Sequence, residues 1–429
     1  MEVLNLCRIM RSLGVCVILS SKLKRSDKMR KIFYVLLVII LACTLIFSGC
    51  GSSSSSSKIS STTTPPSQKD STTANKKLKL GFNNFLKGFY SLDILEKSFK
   101  ATADALNVDT MITNDEGKVE QSVQNVQNMI SSGVDGIVFF GISDTLFPVV
   151  SQKCREAKIP FVIYDHIPSD KSMEILQQNP YFVGVVGEHD YDAGYPIGEY
   201  AANQGLKKAI VVTGKNTDTT HSARVKGFTD SFTKAGGRVL DVGWGNTTLA
   251  DALSQTDDLL TAHPDVDCIY ATGGDFGSGA LQALQKHPNV KAKVFVTDLD
   301  PDILTGLKAG TITAANGAHW VNVDFATILI VNYLNNHPLR DSGNKAPVVT
   351  VPVLTLPNNQ VSLYQKFWLD NEPFSVTELR NLTVPWNPNV TLNEVKSVIS
   401  NYSIKSRLEE KQKEGLVTSD ELKKAGIIN

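Results

Sequence analysis

The sequence predicts an α/β protein made of two similar, doubly wound, Rossmann-like lobes. Two observations lead there. Short apolar runs alternate with segments of helical period through most of the chain, the pattern of right-handed βαβ units on a parallel sheet. One such unit also occurs twice. Its first copy is Val134-Asp135-Gly136-Ile137-Val138-Phe139-Phe140, helical residues 146–157 and a strand at 159–164 that runs into Asp165-His166. Its second is Val266-Asp267-Cys268-Ile269-Tyr270, helical residues 277–286 and a strand at 293–297 that runs into Asp298. The offset is 132 residues at Val134/Val266 and 133 at Asp165/Asp298. That is too long for a solenoid repeat and fits two α/β halves, each closing a strand on an aspartate.

Composition narrows the function classes. The 429 residues are 42% hydrophobic and 20% charged, an ordinary globular make-up, and the length suits two or three domains. Lys+Arg and Asp+Glu both number 43, so nothing points to nucleic acid or to an acidic partner. Six cysteines occur without a CxxC or a Cys/His cluster, which speaks against a disulfide scaffold and against a zinc site. No metal or cofactor is expected.

Residues 1–50 read as a secretory signal. Arg30 and Lys31 supply its positive start, residues 32–47 are almost wholly apolar, and Ser48-Gly49-Cys50 close it with small residues. The apolar run is short for a membrane span. Residues 1–28 look superfluous, and Met29 is the expected start. Residues 51–77 are Ser/Thr-rich around Pro65-Pro66, too polar to offset their ordering entropy, and are expected to be a flexible tether. Beyond them only Cys154 and Cys268 remain, each in a core-like run that suits a buried free thiol.

The elements then follow in order. A strand at 78–82 leads through a polar, aromatic loop into a helix at 94–106, with Ile94, Leu95, Phe99, Ala103 and Leu106 at helical spacing. A strand at 108–112 and a helix at 118–131, striped by Val119, Val123, Val126 and Ile130, precede the first copy of the repeat. Residues 183–186 form a strand that leaves this half. Helices at 192–204, 223–235 and 249–261 alternate with strands at 209–213 and 238–242 up to the second copy. A strand at 311–316 and a helix at 321–334 come next. Residues 348–354 and 364–368 return late and offer a further crossing between halves. Ser375/Glu378 and Thr391/Glu394 have capping-box form and predict two short helices, with a third on the surface after Arg407.

Catalytic motifs fail on inspection. Gly214-Lys215 follows a strand, but Ala209 stands where a phosphate-binding Walker loop needs glycine and Asn216 where it needs Ser or Thr. Gly273-Gly274-Asp275-Phe276-Gly277 lacks the GxGxxG spacing, Gly277-Ser278-Gly279 is no nucleophile elbow, and the seven histidines form no HExxH. Binding chemistry has more support. Ligands of open α/β sheets sit beyond the carboxyl ends of strands, where Asn83, Asn84, Asp165, Asp275 and Asp298 fall. Carboxylates, amides and an arginine beside aromatic faces suit a neutral polyhydroxylated ligand. Each aspartate alone also fits a turn or helix cap, and Phe89 and Tyr90 also fit the core. Trp244 and Trp320 read as structural.

Residues 133–138 and 159–165, the run Ala223-Arg224-Val225-Lys226-Gly227-Phe228, and residues 263–267, 274–283 and 294–298 together resemble the bacterial type I periplasmic sugar-binding proteins, the ribose-binding group among them. The resemblance covers about residues 78–356. It implies the type I fold, two lobes joined by three crossing segments near Glu188, Ala318 and Val348. The implied first lobe is residues 78–187 plus 320–346, the second 188–319 plus 347–375, with 376–429 a helical extension. It also implies a ligand shell of Asn84, Phe89, Tyr90, Asp165, His166, Arg224, Asp275 and Asp298. Three departures argue against ribose itself. His166 stands where many sugar binders have arginine, Gly274 where the family has asparagine, and Asn316-Gly317-Ala318-His319-Trp320 where the ribose group has glutamine. The first fifty residues resemble a bacterial lipoprotein signal, with Phe47 where leucine is preferred, which implies an acylated Cys50 on the outer face of the cytoplasmic membrane. The expected function is capture of a monosaccharide or similar polyol by a monomer and delivery to an ABC permease and its ATPase, without enzymatic activity. The alternatives are a receptor for a membrane histidine kinase and a nucleoside-binding protein.

Overall fold

A computed structural model describes residues 77–429. The signal with Cys50, the start at Met29 and residues 51–76 of the tether lie outside the described residues. The first α/β run is β1 (Lys79–Asn84), α1 (Tyr90–Ala105), β2 (Asp109–Asn114), α2 (Val119–Ser131), β3 (Gly136–Phe140), α3 (Leu146–Ala157), β4 (Phe161–Asp165), α4 (Asp170–Gln177) and β5 (Phe182–Gly187). A second run repeats it as α5 (Asp190–Asn203), β6 (Lys208–Thr213), α6 (Thr219–Lys234), β7 (Arg238–Trp244), α7 (Leu249–Ala262), β8 (Cys268–Ala271), α8 (Gly274–Lys286), β9 (Lys293–Thr297), α9 (Pro301–Ala309) and β10 (Ala314–Gly317). Then come α10 (Asn322–Leu334), β11 (Val348–Thr350) and β12 (Leu354–Pro357).

Two six-stranded sheets result, ordered β11-β5-β4-β3-β1-β2 and β12-β10-β9-β8-β6-β7. Strand for strand the two orders are the same. The duplication read from Val134/Val266 and Asp165/Asp298 is therefore a duplication of topology. β11 runs parallel to β5, whereas β12 runs antiparallel to β10. In each sheet the order reverses between the first and third strands, β1 and β3 or β6 and β8, and that reversal opens the crevice of a doubly wound sheet.

Three segments pass between the sheets: after Gly187, after Gly317, and between Thr350 and Leu354. The run at 348–354 is thus not one strand. Pro352 sits in its middle, and the chain changes sheet there because proline cannot donate to a ladder. Residues 364–368 make no crossing; they are helical, completing a short helix, α11 (Val361–Tyr364), and a wide π-turn over Gln365–Leu369. Helices α4 and α9 were not expected from periodicity. Both carry start signals, Ser169 accepting from the Ser172 N–H ahead of α4 and Pro301 in the first turn of α9.

The strands are apolar because both faces of each sheet are covered. All five residues of β3 and all six of β5 are buried. Phe99 from α1 stacks on Phe82 at 4.5 Å between ring centroids, and Tyr164 also stacks on Phe82 at 5.1 Å. Helices α5 and α6 pack unusually closely. A Cβ on Gly194 would lie 2.0 Å from the Arg224 carbonyl oxygen, and one on Gly227 would lie 2.1 Å from that of Tyr191.

The C-terminal part is not a surface appendage. Its helices are α12 (Val376–Asn381), α13 (Leu392–Ser400), α14 (Ile404–Lys413) and α15 (Ser419–Lys424), one more than expected, and both expected capping boxes are formed. Every residue of α10 from Asn322 to Asn332 is buried, so that helix must be covered on all sides. The first sheet covers one side. The chain after Leu369 covers another, with Phe374 against Phe325 and the Asn332 amide donating to the Leu382 carbonyl and accepting from the Val384 N–H. Trp368 Nε1 donates to the Tyr402 hydroxyl, which donates to the Ala318 carbonyl at the second passage between sheets. No helix among the described residues is long and apolar enough to cross a membrane.

Candidate functional site

Between the carboxyl ends of the two sheets lies a cavity of about 540 Å³, lined from both. Asp165 ends β4 and Asp298 follows β9, and both adopt positive φ, +72° and +85°. Aspartate tolerates that region better than most residues. The cost, of order 1–3 kcal/mol each, is the kind a folded protein carries at functional positions. At Asp165 the bend is a three-residue turn in which the His166 N–H donates to the Tyr164 carbonyl. Both carboxylates line the cavity, and so do Phe89, His166, Arg224 and Asp275.

Asn84 and Tyr90 do not line it, and the expectation for them is corrected. Asn84 is the last residue of β1 and buried; its amide donates to Asp93 and Glu96 and accepts from the Leu86 N–H, so it builds the loop that carries Phe89. Tyr90 opens α1, half-buried, and burial with the nearby Asp300 charge pushes its phenol up to about 12. Asn83 is likewise structural, exchanging hydrogen bonds with the Phe140 backbone and donating to Asp115.

Several cavity residues were not anticipated: Asp144, Glu188, Asp190, Asp218, His221, Asp300 and His319. Glu188 and His319 sit at the first two passages between sheets, so only the three-dimensional path brings them together. Gly214, read above only as a failed phosphate loop, makes room for His221, whose ring would lie 2.4 Å from a Cβ there. His221 also packs edge-on to Phe276 and contacts the Thr272 hydroxyl through Nδ1. Similarly, a Cβ on Gly274 would lie 2.0 Å from an oxygen of Asp300, so that carboxylate occupies the space a side chain at 274 would need. Asn316 does not reach the cavity; it is fully buried and donates to the Ala193 carbonyl.

Arg224 organises the charge of the second sheet's side. Its Nε donates to Asp190 at 3.1 Å, its Nη1 donates to the Thr272 carbonyl at 2.9 Å, and Asp298 lies 3.6 Å from Nη1. Burial works against the guanidinium, but Asp298 and Asp190 more than offset it and push its pKa up, so it stays charged. On the other side Asn322 donates to Asp165 at 2.8 Å and to Glu188 at 3.1 Å. Burial raises the Asp165 carboxyl and, with Asp165 and Asp190 nearby, pushes Glu188 well above its ordinary value. Asp300 is pushed up to about 7 by burial and then by Asp298 and Asp275. Burial lowers both His221 and His319, and the Arg224 charge adds to that. The site therefore offers acceptors, one cation and three phenylalanine side chains, Phe89, Phe140 and Phe276. That inventory grips hydroxyls and covers a ring.

A duplicated, doubly wound α/β protein with a cleft at its paired switch points, walled by carboxylates and an arginine, defines a two-sheet binding protein. The chain belongs to the periplasmic binding protein domain family, whose pattern residues 84–333 match. Proteins of this family are extracytoplasmic and bind substrates rather than transform them. The chain is 28% identical over 190 residues to the D-ribose/D-allose-binding protein of Pseudomonas aeruginosa, covering 43% of this chain and 58% of that protein. It is 24% identical over 224 residues to the ribose import binding protein RbsB of Salmonella typhimurium, covering 51% and 72%. The match to a xylose/arabinose-binding protein of Sulfolobus acidocaldarius, 25% identical over 169 residues, covers 38% of this chain and 41% of that protein. Among solved structures, an ABC transporter solute-binding protein of Actinobacillus succinogenes with bound D-allose superposes with a TM-score of 0.60 at 20% identity, covering 67% of this chain and all of that one. That likeness is one of fold.

Proposed function

We propose that this protein is an extracytoplasmic solute-binding protein that captures a monosaccharide or similar small polyol by closing two lobes around it and hands it to an ABC permease. One observation carries the reading: the cavity is lined from both sheets at equivalent strand ends, by Asp165 on one side and Arg224 and Asp298 on the other. A ligand held by both sides gains more in the closed than in the open form, and only that difference shifts the population. The relatives named for ribose, allose, xylose and arabinose support the ligand class.

In this reading residues 78–187 with 320–350 form one lobe and 188–319 with 354–375 the other; the boundary expected at 346/347 moves past β11, which pairs with β5 of the first sheet. The ligand shell is Phe89, Asp165, His166, Arg224, Asp275 and Asp298, joined by Glu188, Asp190, His221, Asp300 and His319. Cys50 carries a lipid that holds the monomer at the outer face of the membrane. A thermal-shift screen of the full-length protein against pentoses, hexoses and cyclitols tests the function. A ligand at about a hundred times its dissociation constant adds about 2.7 kcal/mol of apparent stability. Stabilisation by nucleosides with none by any sugar or polyol would overturn the ligand class.

A further inference from the structure

Eight carboxylates and a single arginine line the cavity, with no lysine. Arg224 is already committed to Asp190 and Asp298, and Asp218 caps α6 through the His221 N–H. The charge of Arg224 reaches the floor between the two sheets, but no Lys or Arg side chain among the described residues hydrogen-bonds to Asp165 or Glu188 there. There Asp165, Glu188 and His319 each present one atom, all within 4.8 Å of one another, the one such convergent group among the described residues. Asn322, fully buried beneath them, spends its N–H donors on both carboxylates, and its Oδ1 has no partner. His319 faces Glu188 with Nε2 at 3.5 Å, and its Nδ1 has no partner either. With the ring proton on Nδ1, Nε2 is an acceptor that faces the same point as the two carboxylates. Once the proton that burial favours on Glu188 is displaced, this floor consists of acceptors converging on one point.

A hydroxyl satisfies such a place poorly, since it brings one donor and two lone pairs. An ammonium brings three donors, no acceptor and the missing charge. Resting on the solute-binding reading above, we infer that the ligand of this cleft is a polyhydroxylated amine, an amino sugar or aminocyclitol, whose ammonium seats on Asp165, Glu188 and His319. Its hydroxyls face Arg224 and Asp298, and its ring lies toward Phe89. Asp300, placed where Gly274 leaves room, adds hydrogen-bonding capacity on the second side. Charge-assisted hydrogen bonds are about twice as strong as neutral ones, so the amine outranks its neutral parent.

The test is calorimetry on the full-length protein with matched pairs: D-glucose, D-glucosamine and N-acetyl-D-glucosamine; the galactose series; and myo-inositol with an aminocyclitol. At pH 7 an amine should bind at least tenfold tighter than its neutral parent and its N-acetyl form, with EDTA making no difference. Glu188→Gln, close in shape, should cost the amine about tenfold more than it costs a neutral sugar. A neutral sugar binding as tightly as its amine would overturn the inference and leave the solute-binding function standing. If neither kind bound, both would fall. A stabilising shift with calcium or zinc alone would also overturn it, by assigning the floor to a metal ion.

Discussion

Replacing Arg224 with alanine should destabilise the empty protein as well as weaken binding. The side chain is 8% exposed and holds three groups: Asp190 at 3.1 Å, the Thr272 carbonyl at 2.9 Å and Asp298 at 3.6 Å. Thr272 is fully buried, so its carbonyl would lose its donor without gaining water. Removing one partner of a buried ion pair costs about 3–5 kcal/mol. The two aspartates keep 17% and 21% of their side-chain surface in the cleft, which places the loss near the lower end, about 3 kcal/mol. For a folded unit of about 350 residues, with an unfolding entropy near 2.1 cal/mol/K per residue, that is about 4 °C of melting temperature. Arg224→Lys should recover part of it, because an ammonium keeps the charge but cannot serve both Asp190 and the Thr272 carbonyl in Arg224's geometry. Differential scanning calorimetry without ligand decides the matter. If Arg224→Ala melted within a degree of wild type, the network would carry no stability, and the account of how this wall is held would be wrong.

Other predictions concern the rest of the chain. Asp324 is buried and accepts from the Ser98 and Thr102 hydroxyls at 2.7 Å each, and burial pushes its carboxyl up to about 8. A raised carboxyl stabilises the fold in its protonated form, fully below its unfolded value near 4, with the contribution lost as pH rises through about 8. Urea denaturation should therefore find Asp324→Asn flatter in stability than wild type between pH 5 and pH 9; equal slopes would contradict it. Gly194→Ala drives a methyl into the Arg224 carbonyl and should cost about 3 kcal/mol, the upper part of the overpacking range, with urea midpoints as the readout. A midpoint unchanged from wild type would refute the close packing of α5 on α6. Cys50→Ala should free the protein from the membrane fraction, and retention in that fraction would refute the lipid anchor.

What could be read in the sequence was whatever local pattern controls. The duplicated strand–helix–strand units were legible because strands buried on both faces leave unbroken apolar runs, as in Ile137–Phe140 and Ile269–Ala271. Capping boxes at Ser375 and Thr391 were legible because the motif lies within four residues. Helix α9 carries signals too, Pro301 at the start and left-handed Gly310 at the end, but its nine residues are too short to show a clear helical period. Pro352 marked the break between β11 and β12 that the apolar run concealed. Asn84 followed a strand as a ligand group would, yet turns to Asp93 and Glu96, a choice set by tertiary packing. Glu188, Asp190 and His319 could not be placed, because they meet only where the chain passes between sheets. The C-terminal helices looked superficial since their apolar partner, α10, lies some fifty residues or more away.

The most direct test of the central claim is a crystal structure of the protein with the ligand that stabilises it most. The account predicts that ligand inside the 540 Å³ cavity, hydrogen-bonded to Asp165 from the first sheet and to Arg224 or Asp298 from the second, with the two sheets drawn closer together. A ligand bound elsewhere, or held from one sheet alone with no change in their separation, would contradict it.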